Sequence, residues 1–184
     1  GSLATARSWH EATLLNDGRV LVTGGGTASC EVYSPSTGTW SPTGSMATIR
    51  ANHSAVRLGD GTVLIIGGDG TSSAIATCEV YNSGSGTWTA TGSMAGPRSS
   101  GTAHVLNTGK VLIVGGYDAS AAALLSCELY DALTGAWTFT ANMRQARYWH
   151  ASTVLPNGAV LGRRFGATQR RLPARSRRAA GRSG

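Results

Sequence analysis

The sequence predicts an all-β propeller on three observations. One unit restarts four times, its apolar runs have strand length and are rich in β-branched residues, and no long helical period interrupts them. The restarts are marked by Arg7, Arg50, Arg98 and Arg147. Each complete unit between them has room for four strands, which is the content of one propeller blade.

Each unit reads in the same order. After the arginine comes a first strand ("EATLL" in the first unit). A turn follows at a constant interval past the arginine, at Asp17-Gly18, Asp60-Gly61, Thr108-Gly109 and Asn157-Gly158. Asn-Gly and Asp-Gly tolerate the positive φ that tight hairpins need. The second strand holds the apolar runs Val20 to Val22, Val63 to Ile66 and Val111 to Val114. It closes on a double glycine, Gly24-Gly25, Gly67-Gly68 and Gly115-Gly116, again at one fixed interval from the arginine. A loop of varying length leads to the third strand, "CEVY" or "CELY", and a turn of the "STGT" kind leads to a fourth strand around tryptophan. The step from cysteine to tryptophan is the same in every unit, Cys30 to Trp40, Cys78 to Trp88 and Cys127 to Trp137. Only the span from the second glycine to the cysteine varies, short from Gly25 to Cys30 and about twice as long from Gly68 to Cys78 and from Gly116 to Cys127.

A double glycine ending the second strand, followed by a tyrosine seven residues before a tryptophan (Tyr33/Trp40, Tyr81/Trp88, Tyr130/Trp137), resembles the kelch repeat. The Gly-His and Trp-Asp pairs of the other common propeller repeat are absent. The resemblance spans residues 1 to 161 and implies three complete four-stranded blades plus a partial fourth, in a ring that does not close. It also implies a non-catalytic module that binds a partner protein or a carbohydrate. Tyrosine and tryptophan supply large apolar area to the core between blades, each with one polar handle. The arginines resemble structural ones at the blade junction, where a guanidinium fork satisfies several carbonyls at once.

Charge separates the chain into two parts. Net charge is +7, yet residues 1–161 hold eight Lys and Arg against nine Asp and Glu, whereas residues 162–184 hold eight Arg and no acid. The basicity therefore belongs to the tail. Arg164-Phe165 stands where a double glycine is due, and the repeat register is lost. The tail is expected to be disordered or an out-of-frame reading; nucleic-acid binding through its arginines is the alternative. At the other end "GSLAT" aligns with "GSMAT" at Gly44 to Thr48, so the chain opens inside a repeat and reads as a fragment of a longer propeller. Open blade edges would then favour self-association. No leader and no apolar run of membrane length is legible, which leaves a secreted or cell-surface location open.

The three cysteines recur once per blade, an odd count a full blade apart, and read as small buried strand residues rather than disulfide or metal partners. No cofactor is expected.

Two groups of residues are the binding candidates. The first strand is innermost in a blade, so the residues just after each arginine should surround the mouth of the central channel. They read "RSWH", "RANH", "RSSG" and "RYWH", which nominates Trp9, His10, Asn52, His53, Trp149 and His150. Imidazole could act there as ligand or base, and tryptophan as a stacking platform for a sugar or another ring. The second group lies in the variable loops, which carry specificity on rigid scaffolds: Asp69, Ile75, Tyr117, Asp118 and Leu124.

One enzyme family shares the scaffold. The segment "ARYWHASTVLPNG" looks like the part of galactose-oxidase-like copper radical oxidases that carries a Tyr-His pair. Here Trp149 precedes His150, an indole has no oxygen to coordinate copper, and strand alternation would turn Tyr148 to the opposite face. Acid, base and nucleophile are not assembled in one place, and no catalytic residue is nominated.

Overall fold

The computed structural model describes residues 1–163, and they form β-strands joined by turns and loops. The first blade is β1 (His10–Leu14), β2 (Val20–Gly24), β3 (Cys30–Ser34) and β4 (Thr39–Thr43). The second is β5 (Ser54–Arg57), β6 (Val63–Ile66), β7 (Cys78–Asn82) and β8 (Thr87–Thr91). The third is β9 (Thr102–Val105), β10 (Val111–Val114), β11 (Cys127–Asp131) and β12 (Ala136–Phe139), and the hairpin β13 (Ala151–Val154) and β14 (Val160–Arg163) begins a fourth. Each complete blade is an antiparallel sheet in sequence order. The innermost strands β1, β5, β9 and β13 touch in succession, and the ring they begin is unclosed. Strand β14 pairs as far as Ala151 with Arg163, two residues past the expected limit of the blades, because ladder pairing is a property of the backbone. Most of the Arg-rich tail lies outside the described residues. No helix among those described is long and apolar enough to cross a membrane.

The second strand of each blade is buried because it sits between the inner and outer strands of its own sheet and between neighbouring sheets. Leu21, Val63, Leu64, Ile65 and Val111 are fully buried. One core cluster joins Leu15, Leu21 and Val32 of the first blade to Val63, Ile65 and Tyr81 of the second, and another joins Leu64, Ile66 and Met94 to Val111, Ile113 and Tyr130. The tyrosine and tryptophan of each unit pair directly across the third and fourth strands, with ring centroids 4.9–5.1 Å apart. Their polar handles reach the preceding blade. Tyr81 Oη bonds Thr43 Oγ1 at 2.7 Å, and Trp88 Nε1 donates to the Gly44 carbonyl at 2.7 Å. Tyr130 and Trp137 repeat this with Thr91 and Gly92.

The turns between first and second strands are three-residue loops. Gly18 N donates to Leu15 O and Leu15 N to Arg19 O, and of the loop residues only the glycine takes a positive φ, of 84°. Asp17 therefore contributes a side-chain acceptor for Arg19 N rather than an unusual backbone. The double glycines answer to close approach. A Cβ on Gly67 would collide with the carbonyl oxygen of Arg98, the arginine of the next unit.

The repeated arginines are the pins of each blade. Arg50 is 0% exposed, and its Nη1 donates to the carbonyls of Gly67 (2.7 Å) and Thr77 (2.8 Å). Its Nη2 meets Glu79 Oε1 at 2.9 Å, while Glu79 Oε2 accepts Ala47 N at 2.7 Å. Arg7–Glu31 and Arg98–Glu128 repeat the pair at 2.9 Å. The three cysteines are free and buried, and burial lifts the thiols of Cys30 and Cys78 to about 11.

Candidate functional site at the channel mouth

The site is assembled from two positions that recur along the chain. The first is the residue two after the arginine: Trp9, Asn52, Ser100 and Trp149. All four have positive φ, of 60°, 51°, 53° and 48°. A left-handed conformation is costly for residues other than glycine, on the order of 1 kcal/mol or more each. It is held here by backbone hydrogen bonds that pass from blade to blade. Asn52 N donates to Trp9 O (3.0 Å), Ser100 N to Asn52 O (2.9 Å) and Trp149 N to Ser100 O (3.1 Å). The side chains are thereby delivered to one rim.

The second position is the residue after the double glycine, where each variable loop begins. Asp69 and Ala51 exchange backbone hydrogen bonds, as do Tyr117 and Ser99. This staples the root of each of these loops beside the rim residue of the same unit. Asp69 Oδ2 then accepts both Asn52 Nδ2 (2.9 Å) and the hydroxyl of Tyr117 (2.7 Å). Burial, with the Asp69 carboxylate adding to it, holds the Tyr117 phenol above its ordinary range.

The circuit closes through aromatic rings. Tyr117 meets Tyr148 edge-on at 5.6 Å, Tyr148 meets Trp149 at 5.3 Å, and Trp149 lies nearly parallel to Trp9 at 6.4 Å with 11° between planes. Trp9 is bonded through its carbonyl to Asn52, which returns to Asp69. Trp9 is 64% exposed, Trp149 59% and Tyr148 45%. Four aromatic rings, an amide and a carboxylate are thus joined by contacts across four successive units. Between the two longer loops lies a cleft of about 320 Å³ bordered by Asp69, Ala74, Tyr117 and Asp118.

The two groups of residues nominated separately from sequence meet here in part. Trp9, Asn52 and Trp149 of the first group join Asp69 and Tyr117 of the second. Asp118 borders the cleft, but its Oδ1 accepts from Ser120 Oγ, Ser120 N and Ala122 N, and the Ser120 hydroxyl foremost keeps the carboxyl below its usual range. Ile75 and Leu124 are half-buried, and their carbonyls accept the backbone N–H of Arg98 and Arg147, which ties them to the blades.

The histidines differ from expectation. His53 and His150 are buried between blades, where Nε2 bonds Thr23 Oγ1 at 2.8 Å and Thr102 Oγ1 at 3.0 Å. Positive φ at the preceding residue turns the chain into the strand, so the imidazole points at the neighbouring blade and not at the mouth. Burial drives His53 down to about 3 and His150 to about 4. His10 alone of the three is exposed. The same backbone turn puts Tyr148 beside Trp149, whereas strand alternation had assigned it to the opposite face; residues 148 and 149 lie outside any strand.

This geometry does not fit the copper site of a radical oxidase. Tyr148 is exposed, while His150 is buried with its Nε2 bonded to Thr102. Among the described residues no three His, Cys, Asp or Glu are grouped to hold a metal ion.

The Kelch motif is matched twice, over residues 50–95 and 98–144. The chain belongs to the kelch family. Those two matches are the second and third blades described above, and the same arginine, double-glycine and tyrosine–tryptophan contacts recur in the first. No curated protein matches this kelch chain. Sequence reasoning missed Glu31, Glu79 and Glu128 as the arginines' partners. Their signal was present, since a glutamate follows each repeated cysteine.

Proposed function

We propose that this kelch chain is a non-catalytic interaction module that engages a partner protein through the channel mouth. The observation that supports it is the exposed aromatic circuit on a rim fixed by backbone hydrogen bonds from four successive units. Large aromatic side chains on a rigid frame contribute contact area at little entropic cost, and such residues dominate binding energy at interfaces. Kelch repeats commonly serve protein interaction, and the blades of residues 1–161 would be the part that does so here. A carbohydrate is the second reading, favoured by the nearly parallel Trp9 and Trp149, which offer flat faces to a sugar ring.

The test is retention on arrays of partner proteins and of glycans, comparing the chain with a Trp9→Ala/Trp149→Ala variant. Loss of at least about tenfold in affinity with unchanged thermal unfolding is the expected result. Undiminished retention by the variant would move the binding face elsewhere.

A further inference from the structure

We propose that the mouth of this chain is a receptor for an arginine side chain presented by the partner. The inference rests on the mouth being the binding face and names the chemistry that face selects. Its first support is charge. The cleft beside the rings is bordered by the acidic residues Asp69 and Asp118. Of the nearby arginines, Arg7, Arg50 and Arg98 are spent in buried pairs with Glu31, Glu79 and Glu128, while Arg147 donates to the Gly162 and Gln145 carbonyls. Arg19 and Lys110 pair with Asp17 and Asp131 at the opposite ends of the strands. An anionic ligand entering the cleft would therefore meet two carboxylates.

The second support is the density of π faces. Trp9, Trp149, Tyr148 and Tyr117 form a continuous run of rings, three of them substantially exposed. The negative face of an aromatic ring attracts a cation, tryptophan most strongly. The Trp9–Trp149 centroid distance of 6.4 Å lies near the upper end of ring–ring contact, and a flat group held between two faces needs roughly 7 Å. Opening the two indoles to a face-to-face spacing of roughly 7 Å would admit a guanidinium plane.

The third support is the carboxylate. Asp69 Oδ2 is saturated by Asn52 and Tyr117, which hold the group in place, while Oδ1 makes no hydrogen bond among the described residues. One fixed, half-saturated carboxylate next to stacked rings suits a guanidinium better than an ammonium. Guanidinium is planar, weakly hydrated and has several donors in one plane, whereas the lysine head is compact and strongly hydrated.

The experiment uses the full chain and four probes: acetyl-Gly-Arg-Gly-amide, the same peptide with lysine, the same with uncharged citrulline, and a β-1,4-linked glucose hexamer. Binding is read from the indole N–H signals of the tryptophans in nuclear magnetic resonance titrations. Trp88 and Trp137, whose Nε1 groups are bonded to Gly44 and Gly92, report that the blades are intact. The arginine peptide is expected to shift the Trp9 and Trp149 signals and to bind about tenfold more tightly than the citrulline peptide, with lysine between them. Asp69→Asn should narrow the arginine–citrulline gap, and Trp149→Ala should weaken the arginine peptide.

If citrulline binds as tightly as arginine, or the glucose hexamer shifts both indoles and the arginine peptide neither, the cation assignment is overturned while the mouth remains the binding face. If no probe moves Trp9 or Trp149, the assignment is overturned as well. Array retention undiminished in the Trp9/Trp149 double variant is the separate result that would remove the mouth reading itself.

Discussion

The imidazole of His53 makes one hydrogen bond, to Thr23, and its Nδ1 is buried without a partner, as is that of His150. A second proton on either ring would be a buried charge beside the Arg50 or Arg147 guanidinium, so burial and that neighbour together hold both rings neutral. Their folded values, about 3 and about 4, lie below the ordinary 6.5, so protons bind the unfolded chain preferentially. The stability these rings contribute is complete above pH 6.5 and is lost as pH falls toward those folded values. Glu11 acts in the opposite sense, since burial raises it to about 6. The urea midpoint is expected to fall as pH drops from about 6.5 to about 5, and that of His53→Gln should fall less. Parallel curves for the two proteins over that window would refute the assignment. Sequence placed these histidines correctly along the chain but not in space, because the positive φ at Asn52 and Trp149 cannot be inferred from residue types that so rarely adopt it.

At the scale of the blade, the arginine pin sets the cost of change. Replacing Glu79 by Gln leaves the fully buried Arg50 guanidinium without its counter-charge. The expected loss is about 3 kcal/mol of unfolding free energy, measured by urea denaturation. Gly67→Ala meets the Arg98 carbonyl and adopts a left-handed backbone, and it should lower the melting temperature by several degrees, a cost of about 1–2 kcal/mol. Exposed Ser85→Ala, which removes a hydroxyl contact with Thr87, should leave it nearly unchanged. Most of this was legible in advance. The fixed interval from arginine to double glycine is the one bridged by Arg50 Nη1 to Gly67 O, and the tyrosine–tryptophan interval is a cross-strand pair. The Arg–Glu pairing was harder to read, since the cysteine beside each glutamate is the residue type expected inside and strand glutamates are ordinarily solvated.

Across the whole molecule, completeness of contact depends on having a neighbour. Tyr81 and Tyr130 are almost fully buried, their hydroxyls held by the preceding blade, while Tyr33 in the first blade is only partly covered. The unclosed ring thus exposes blade faces built for contact, and sedimentation of this 184-residue chain is expected to show mass rising with concentration. A single monomeric boundary over a wide concentration range would contradict this. The mouth likewise belongs to no single unit. Its circuit takes Trp9 from the first, Asn52 and Asp69 from the second, Tyr117 from the third, and Tyr148 and Trp149 from the fourth. That is why sequence supplied most of its members in two unrelated groups. Intervals along a chain describe a repeat well, but they do not say which loops of different repeats lean on one another.

The relay of peptide hydrogen bonds from Trp9 to Asn52, Ser100 and Trp149 separates what the rim needs from what it displays. Main-chain groups keep the four residues in place, and the side chains found there are two indoles and an amide, with the Ser100 hydroxyl buried. Such positions can be rewritten one at a time by residues that tolerate the left-handed backbone. Selection could retune this surface toward a new ligand by single substitutions, much as movable type is reset in a fixed frame.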